Sequence, residues 1–249
     1  MCFIEKNYKK GVSRTCGGDP HSNSFNSLKI KVFPAHAGVI LENQRIRTIK
    51  SYNLHLLDLD RVCGKFEMPI LELCDIVPTE LIGFNYVLSD KEPRGGVHFY
   101  IDDYQFERIW KSPERYISLL SRYECVLTPD FSLYLDMPYS MKIWNLYRAR
   151  LIGQYFQDQG IPVVPSLSWA EPETYKFCFD GLATQSTYAV SNVGCIKRKR
   201  SKDIWVQGFH KALEVLRPKR LLIYGTEIAL DFPGIPEIIF YSCPNRYKE

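Results

Sequence analysis

The chain has 249 residues, of which 45% are hydrophobic, and a formal net charge of +4, so it is long enough for one large core or two small ones. No stretch approaches the roughly 18 to 20 apolar residues of a membrane span, and the first ten residues lack the apolar segment of a signal peptide. We therefore expect a cytoplasmic protein without a membrane partner.

The positive charge is concentrated at the N-terminus. Residues 1–50 hold nine Lys or Arg and three Asp or Glu, which leaves residues 51–249 with a charge of −2. A slightly acidic surface offers no broad contact for a phosphate backbone. The exception is KRKRSK at 197–202, which we interpret as a solvated loop, with nucleic-acid contact as the less favoured alternative. Its cations are Lys197, Arg198, Lys199, Arg200 and Lys202.

The cysteines predict neither disulfides nor a zinc site. All eight are scattered singly, without a CxxC pair or two histidines at ligand spacing, so we expect buried thiols. The sequence also lacks a Gly-rich phosphate loop, a GxSxG elbow and an HExxH motif. We therefore expect no metal site, and the cofactor is unknown.

From residue 82 onward, short β-rich runs alternate with segments of helical period, a pattern typical of parallel sheets. The predicted strands are 83–89, 96–102, 125–128, 161–169, 186–194, 220–225 and 237–242. The predicted helices are 104–123, broken at Pro113, then a long helix from Pro138 to Gly160, and shorter ones at 171–182 and 202–216.

This alternation predicts a single α/β domain of repeating βα units over residues 51–249. Seven strands fit either a TIM-barrel-like fold with an eighth strand still unassigned or an open parallel sheet, and we favour the barrel slightly. In both architectures, ligands bind at the carboxyl ends of the strands.

We expect residues 1–50 to lack order and to be a candidate for a spurious extension of the reading frame. RTCGGDP at 14–20 and VFPAHAGVIL at 32–41 are readable as two frames of one DNA repeat. Their spacing makes residues 12–41 resemble a translated CRISPR repeat-spacer unit. The true translation start stays open.

Polar side chains follow five of the predicted strands. Asp130, in CVLTPDFSLYLDMP, is the first candidate for a catalytic carboxylate, and Asp102 is its expected partner in a general acid–base pair. An Asx-turn or a helix cap is the structural alternative for Asp130. Whether the protein is an enzyme at all stays open.

Eight further residues are candidates for ligand binding. Three aromatic side chains could stack on a planar ring or simply pack, and four polar residues lie after strands or on the long helix. Arg148 could hold an anionic ligand or form a structural ion pair. The set is Tyr134, Asn145, Arg148, Ser168, Trp169, Ser191, Asn192 and Tyr224.

Four phrases are similar to the DUF4417 family, uncharacterised proteins common in bacteria and their mobile elements. They are FNYVLSDKEPRGGVHFYIDDYQFERIW, LTPDFSLYLDMP, IWNLYRARLIGQYFQDQGIPVVPSLSW and AVSNVGCIK. The resemblance covers about residues 60–245 and implies no activity. Asn192 stands where an AVSTVG-like phrase has Thr.

A second resemblance, over about 125–194, is to TIM-barrel enzymes of the queuine tRNA-ribosyltransferase type. It would make Asp130 a nucleophile or base acting on a nucleobase-linked sugar, but the zinc-binding cysteines of those enzymes have no counterpart here.

Two functional hypotheses follow. The first is a small-molecule or nucleobase-like ligand site at the strand ends, in which Asp102 and Asp130 converge in one cleft. The second is a non-catalytic mobile-element module that binds nucleic acid or a protein through 197–202.

Overall fold

The computed structural model describes residues 46–228 and 237–243. The chain divides into two compact units, residues 1–52 and 53–249. In the first unit the described part is helix α1, Ile46–Ser51. This helix overlaps the end of the segment that was predicted to lack order, and residues 1–45 lie outside the described residues.

The second unit is a mixed α/β structure with parallel sheets. It begins with a small antiparallel pair of strands, β1 (Val62–Cys63) and β2 (Met68–Pro69). One sheet has four parallel strands in chain order, β3 (Leu81–Gly83), β4 (Gly96–His98), β5 (Cys125–Leu127) and β6 (Val163–Val164). The other has three, β7 (Thr187–Ser191), β8 (Arg220–Gly225) and β9 (Glu237–Ser242).

The two parallel sheets meet just after β6. Ser166 forms a parallel bridge with Ala189 of β7, and the amide of Leu167 donates to the Ala189 carbonyl at 2.8 Å. Seven parallel strands therefore follow one another in chain order. The described residues show no ladder between β3 and β9, so a closed barrel is not confirmed.

The helices follow the strands as an α/β fold requires. They are α2 (Asp103–Lys111), α3 (Ile117–Leu120), α4 (Tyr139–Asp158), α5 (Tyr175–Cys178) and α6 (Lys199–Leu216). The predicted break at Pro113 is confirmed, because a 3-10 turn over Pro113–Tyr116 separates α2 from α3. None of the helices in the described part of the chain has the length and apolar character to cross a membrane.

Three predicted elements need correction. The run 83–89 is not a strand, since β3 ends at Gly83 and a 3-10 helix follows. Phe84 and Val87 are both buried, and their spacing of three suits a helix. The segment 171–182 holds only a 3-10 turn and the single turn of α5. Helix α6 begins at Lys199, so residues 199–202 are helical and not a loop.

The strands are buried on both faces, as is usual for parallel sheets. In β5, Val126 packs against the helices, while Cys125 and Leu127 pack on the opposite side. In β7, Tyr188 and Val190 face the helices and Ala189 faces the other cluster. This alternation of period two leaves the strand ends as the places where polar side chains can be exposed. The six cysteines in the described residues are free thiols.

Candidate functional site

A cavity of about 420 Å³ lies at the carboxyl ends of β5, β6 and β7. Its walls come from the loops after these strands and from the first two turns of α6. Both polar and aromatic side chains line it: Asp130, Ser132, Tyr134, Ser168, Trp169, Ser191, Cys195, Ser201 and Trp205. Five of these residues were candidates from the sequence, namely Asp130, Tyr134, Ser168, Trp169 and Ser191.

Asp130 is the acidic group of the cavity. Its side chain accepts a hydrogen bond from the hydroxyl of Ser168. Burial raises the pKa of Asp130 to about 6, the Ser168 hydrogen bond opposes this shift, and the charge of Asp103 adds to it. A carboxyl group with such a pKa is present in both protonation states near neutral pH, so it can donate and accept a proton.

The loop that carries Asp130 is held from two sides. The carboxylate of Asp103, the first residue of α2, accepts hydrogen bonds from the Ser132 amide at 3.1 Å and from its hydroxyl at 2.7 Å. The side-chain amide of Asn145 in α4 donates to the Ser132 carbonyl at 2.8 Å. These bonds to two helices fix the backbone two residues after Asp130.

Asn145 and Arg148 lie behind this loop and do not line the cavity. The Nη1 atom of Arg148 is 2.9 and 3.0 Å from the two carboxylate oxygens of Glu107, and its Nη2 donates to Asn145 at 2.7 Å. The guanidinium carbon lies 3.7 Å from the ring centroid of Phe131. The structure thus gives Arg148 the structural ion pair that was the alternative to ligand binding.

Asp102 is not brought together with Asp130. It precedes α2, is exposed, and is absent from the cavity wall. The carboxylate that acts on Asp130 is instead the adjacent Asp103. Asp102 and Asp103 are consecutive in the sequence. Which of them faces the Asp130 loop depends on where α2 begins, and the sequence does not specify that residue.

Two tryptophans form the flat part of the wall. The indole nitrogen of Trp205 donates to the Ser191 carbonyl at 2.9 Å, and the ring centroids of Trp205 and Trp169 are 6.1 Å apart. Trp169 packs on α6 at Gly208, where an added Cβ would lie 2.1 Å from its indole nitrogen. Tyr134 is 60% exposed and forms part of the rim.

Tyr224 belongs to a second, buried aromatic group outside the cavity wall. Its ring lies 4.3 Å from that of His98 and 5.3 Å from that of Tyr100. Burial lowers the pKa of His98 to about 4, and its Nδ1 accepts a hydrogen bond from the Tyr100 amide. His98 is therefore a neutral packing residue near pH 7.

Asn192 connects two strand ends. Its side-chain amide donates to the Thr226 carbonyl at 2.7 Å, and its oxygen accepts from the Thr226 amide at 2.9 Å. The side chain is fully buried and absent from the cavity wall. It joins the ends of β7 and β8, while its neighbour Ser191 reaches the cavity.

Four of the nine cavity residues named above were not among the candidate site residues: Ser132, Cys195, Ser201 and Trp205. Cys195 is half-buried, and burial, together with the charge of Asp130, raises its pKa. Ser201 was placed in a loop because the predicted helix began three residues too late. The spacing of Ser201 and Trp205 could have indicated this site, because residues four apart in a helix share one face.

The basic segment 197–202 borders the cavity. Its five cations are exposed or nearly so, and none makes an ion pair with any residue that the structure describes. Burial raises the pKa of Glu171, but the hydrogen bond that Lys142 donates and the charge of Arg200 lower it by more, so the net pKa is lowered.

Over residues 46–228 and 237–243, no group of three potential metal ligands is found.

Comparison with known proteins places the chain in a family. The family model described as "Domain of unknown function (DUF4417)" matches residues 61–242. The Gene 1 protein of Mycobacterium phage L5 is 37% identical over 182 residues, which is 71% of this chain and 78% of the phage protein. The Gene 1 protein of Mycobacterium phage D29 is 38% identical over 179 residues, or 71% and 66% of the two chains. No solved structure matches. The chain therefore belongs to the DUF4417 family.

Proposed function

We propose that the cavity binds a small planar, nucleobase-like molecule and that Asp130 exchanges a proton with it. The observation that carries this proposal is the half-buried carboxyl group of Asp130 inside a cavity walled by Trp169 and Trp205. The proposal keeps Asp130 as the candidate catalytic residue and assigns no role in catalysis to Asp102.

The shape and chemistry of the cavity suit a flat heterocycle. Its volume of about 420 Å³ is within the usual range for small-molecule sites, roughly 300 to 1,000 Å³. The partly buried indole of Trp169 offers an apolar face on which a ring can stack, and Trp205, buried and stacked on Phe209, backs this wall. Asp130 and the hydroxyl of Ser168 can exchange hydrogen bonds with the polar edge of a nucleobase, and the protonated acid can also donate one.

A TIM-barrel-like arrangement of the strands would support this location. Seven parallel strands follow in chain order, and their inner residues form one cluster that also contains Ile239 and Tyr241 of β9. The Tyr241 hydroxyl donates to the Pro78 carbonyl at 2.6 Å, shortly before β3. The proposed site does not depend on closure, because ligands bind at the carboxyl ends in open sheets as well.

The test is calorimetric binding of adenine, guanine, cytosine and uracil at pH 5 and pH 8. Asp130→Asn is compared with the native chain and with Asp136→Asn, a control in the same loop whose side chain is exposed. We expect at least one base to bind the native and control proteins with different affinities at the two pH values. Asn cannot titrate, so that difference should vanish in Asp130→Asn. Failure of all four bases to bind, or an identical pH profile in Asp130→Asn, would refute the proposal.

The cations of 197–202, which form no ion pair with a residue of the described ranges, favour a second candidate function, a non-catalytic mobile-element module that binds nucleic acid. The Gene 1 proteins to which the chain is similar come from phages. This candidate predicts binding to DNA or RNA oligonucleotides that weakens steeply with salt and does not change in Asp130→Asn.

A further inference from the structure

The basic segment 197–202 concentrates five cations within six residues. Arg61, Lys219 and Arg220 each pair with at least one carboxylate. In contrast, Lys197, Arg198, Lys199, Arg200 and Lys202 have no ion-pair partner among the residues that the structure describes. The segment is thus a local concentration of positive charge, without an ion pair to any described residue, on a unit whose sequence from residue 51 carries −2.

The basic segment borders the cavity through Ser201, while its five cations lie outside the cavity wall. Ser201, inside the basic segment, lines the cavity together with Ile204 one turn later. Arg200 is close enough to Glu171 for its charge to lower the pKa of that carboxyl, and Glu171 directly follows Ala170, another residue of the cavity wall. An anionic group on a ligand in the cavity would therefore come within reach of the segment.

The position of the cations is costly to the free protein. Three of them lie in the first turn of α6, which has no acidic residue and no side-chain cap at Arg198. Positive charge at a helix N-terminus is unfavourable, because it opposes the helix dipole. Glu171 senses the charge of Arg200 but forms its ion pair with Lys142. A bound anion would therefore offset a cost that no ion pair with a described residue removes.

We infer that the ligand of the cavity is a nucleoside monophosphate, with its planar ring among the tryptophans and its phosphate at Arg200, Ser201 and the adjacent cations. This inference rests on the proposed function and specifies its ligand class. A free nucleotide fits better than a polymer, because the cations are confined to one segment, and the slightly acidic remainder offers no track for a longer backbone.

The experiment measures binding to the full chain by quenching of tryptophan emission, since Trp169 and Trp205 line the cavity. The probes are the four ribonucleosides, their 5′-monophosphates, inorganic phosphate and a single-stranded DNA 12-mer. Lys199→Ala/Arg200→Ala is compared with Lys65→Ala/Lys176→Ala, which removes two exposed cations away from the cavity wall.

We expect at least one monophosphate to bind roughly tenfold more tightly than its nucleoside at low salt, an advantage that salt reduces. The advantage should fall to about threefold or less in Lys199→Ala/Arg200→Ala and persist in the control. The salt dependence on the native chain gives a readout even if that variant does not fold.

Three outcomes overturn the inference. Equal affinity for nucleoside and monophosphate would remove the phosphate site but leave the proposed nucleobase function intact. Binding of neither would overturn both. Binding of the 12-mer without any monophosphate would replace both with the nucleic-acid module.

Discussion

The hydroxyl of Ser168 donates a hydrogen bond to the carboxylate of Asp130. Asp130 follows β5 by three residues, and Ser168 follows β6 by four. The parallel register of these strands, with Leu127 opposite Val164, brings the two loops side by side. The bond therefore results from the sheet itself, and it ties the protonation of Asp130 to the geometry of neighbouring strand ends.

Ser168→Ala should raise the pKa of Asp130 above its present value of about 6. The hydroxyl stabilises the ionised form and opposes the effect of burial, so its removal favours the protonated acid by roughly one pKa unit. The measurement is a ¹³C NMR titration of the aspartate carboxyl groups. Ser191→Ala, which alters the cavity wall without touching Asp130, should leave the pKa unchanged. An unchanged or lower pKa in Ser168→Ala would contradict the hydrogen bond.

Asp130→Asn should increase the free energy of unfolding at high pH only. The pKa of Asp130 in the folded protein is raised from 3.8 to about 6. Below pH 3.8 Asp130 is therefore protonated in both the folded and the unfolded chain and does not change the free energy of unfolding. Between pH 4 and 6, ionisation favours the unfolded chain, and stability falls. Each unit of pKa shift corresponds to about 1.4 kcal/mol. Because solvent screens part of this effect, we expect the free energy of unfolding of the variant to be about 2 kcal/mol higher at pH 8.

Denaturant melts at pH 4 and pH 8 test this expectation, with Asp136→Asn as the control. A loss of stability in Asp130→Asn at both pH values would instead identify Asp130 as a structural hydrogen-bond partner.

Most of the fold was predictable from the sequence because strand burial follows local composition. The runs at β4 to β9 are apolar and bounded by turns, and Pro113 broke the helix as its missing amide requires. The prediction for 83–89 failed because so short an apolar run resembles a buried strand, although the spacing of Phe84 and Val87 favours a helical turn. Barrel closure depends on pairing between β3 and β9, which are far apart in sequence and leave no local signal.

The site was predictable only where strand ends determine it. Asp130, Ser168 and Ser191 follow strands and line the cavity. Asn145 and Arg148 have the same polar character, but α4 turns them toward Glu107 and the Asp130 loop. Whether a helical polar residue faces a cavity or a neighbouring helix is set by packing, and sequence spacing does not specify it.

Arg148→Lys should destabilise the protein by about 2 kcal/mol, because a lysine cannot contact Glu107 and Asn145 while stacking on Phe131. Arg94→Lys, in an exposed pair with Glu92, should change stability by about 0.5 kcal/mol or less. Chemical denaturation measures both variants. Equal effects in the two would show that Arg148 contributes no more than a surface pair.

Gly208→Ala tests whether the cavity wall is set by the close approach of Trp169 to α6. Alanine is the better helix former by about 1 kcal/mol, so an unobstructed position would gain stability. Here the new Cβ would lie 2.1 Å from the Trp169 indole nitrogen, and overpacking of this kind costs about 1 to 3 kcal/mol. We therefore expect a net loss of about 1 kcal/mol and a red shift of tryptophan emission as Trp169 moves outward.

Gln207→Ala, at the adjacent exposed position, should show neither effect. A stabilised Gly208→Ala with unaltered emission would mean that Trp169 does not pack on α6, and the flat wall proposed for the ligand ring would be lost with it.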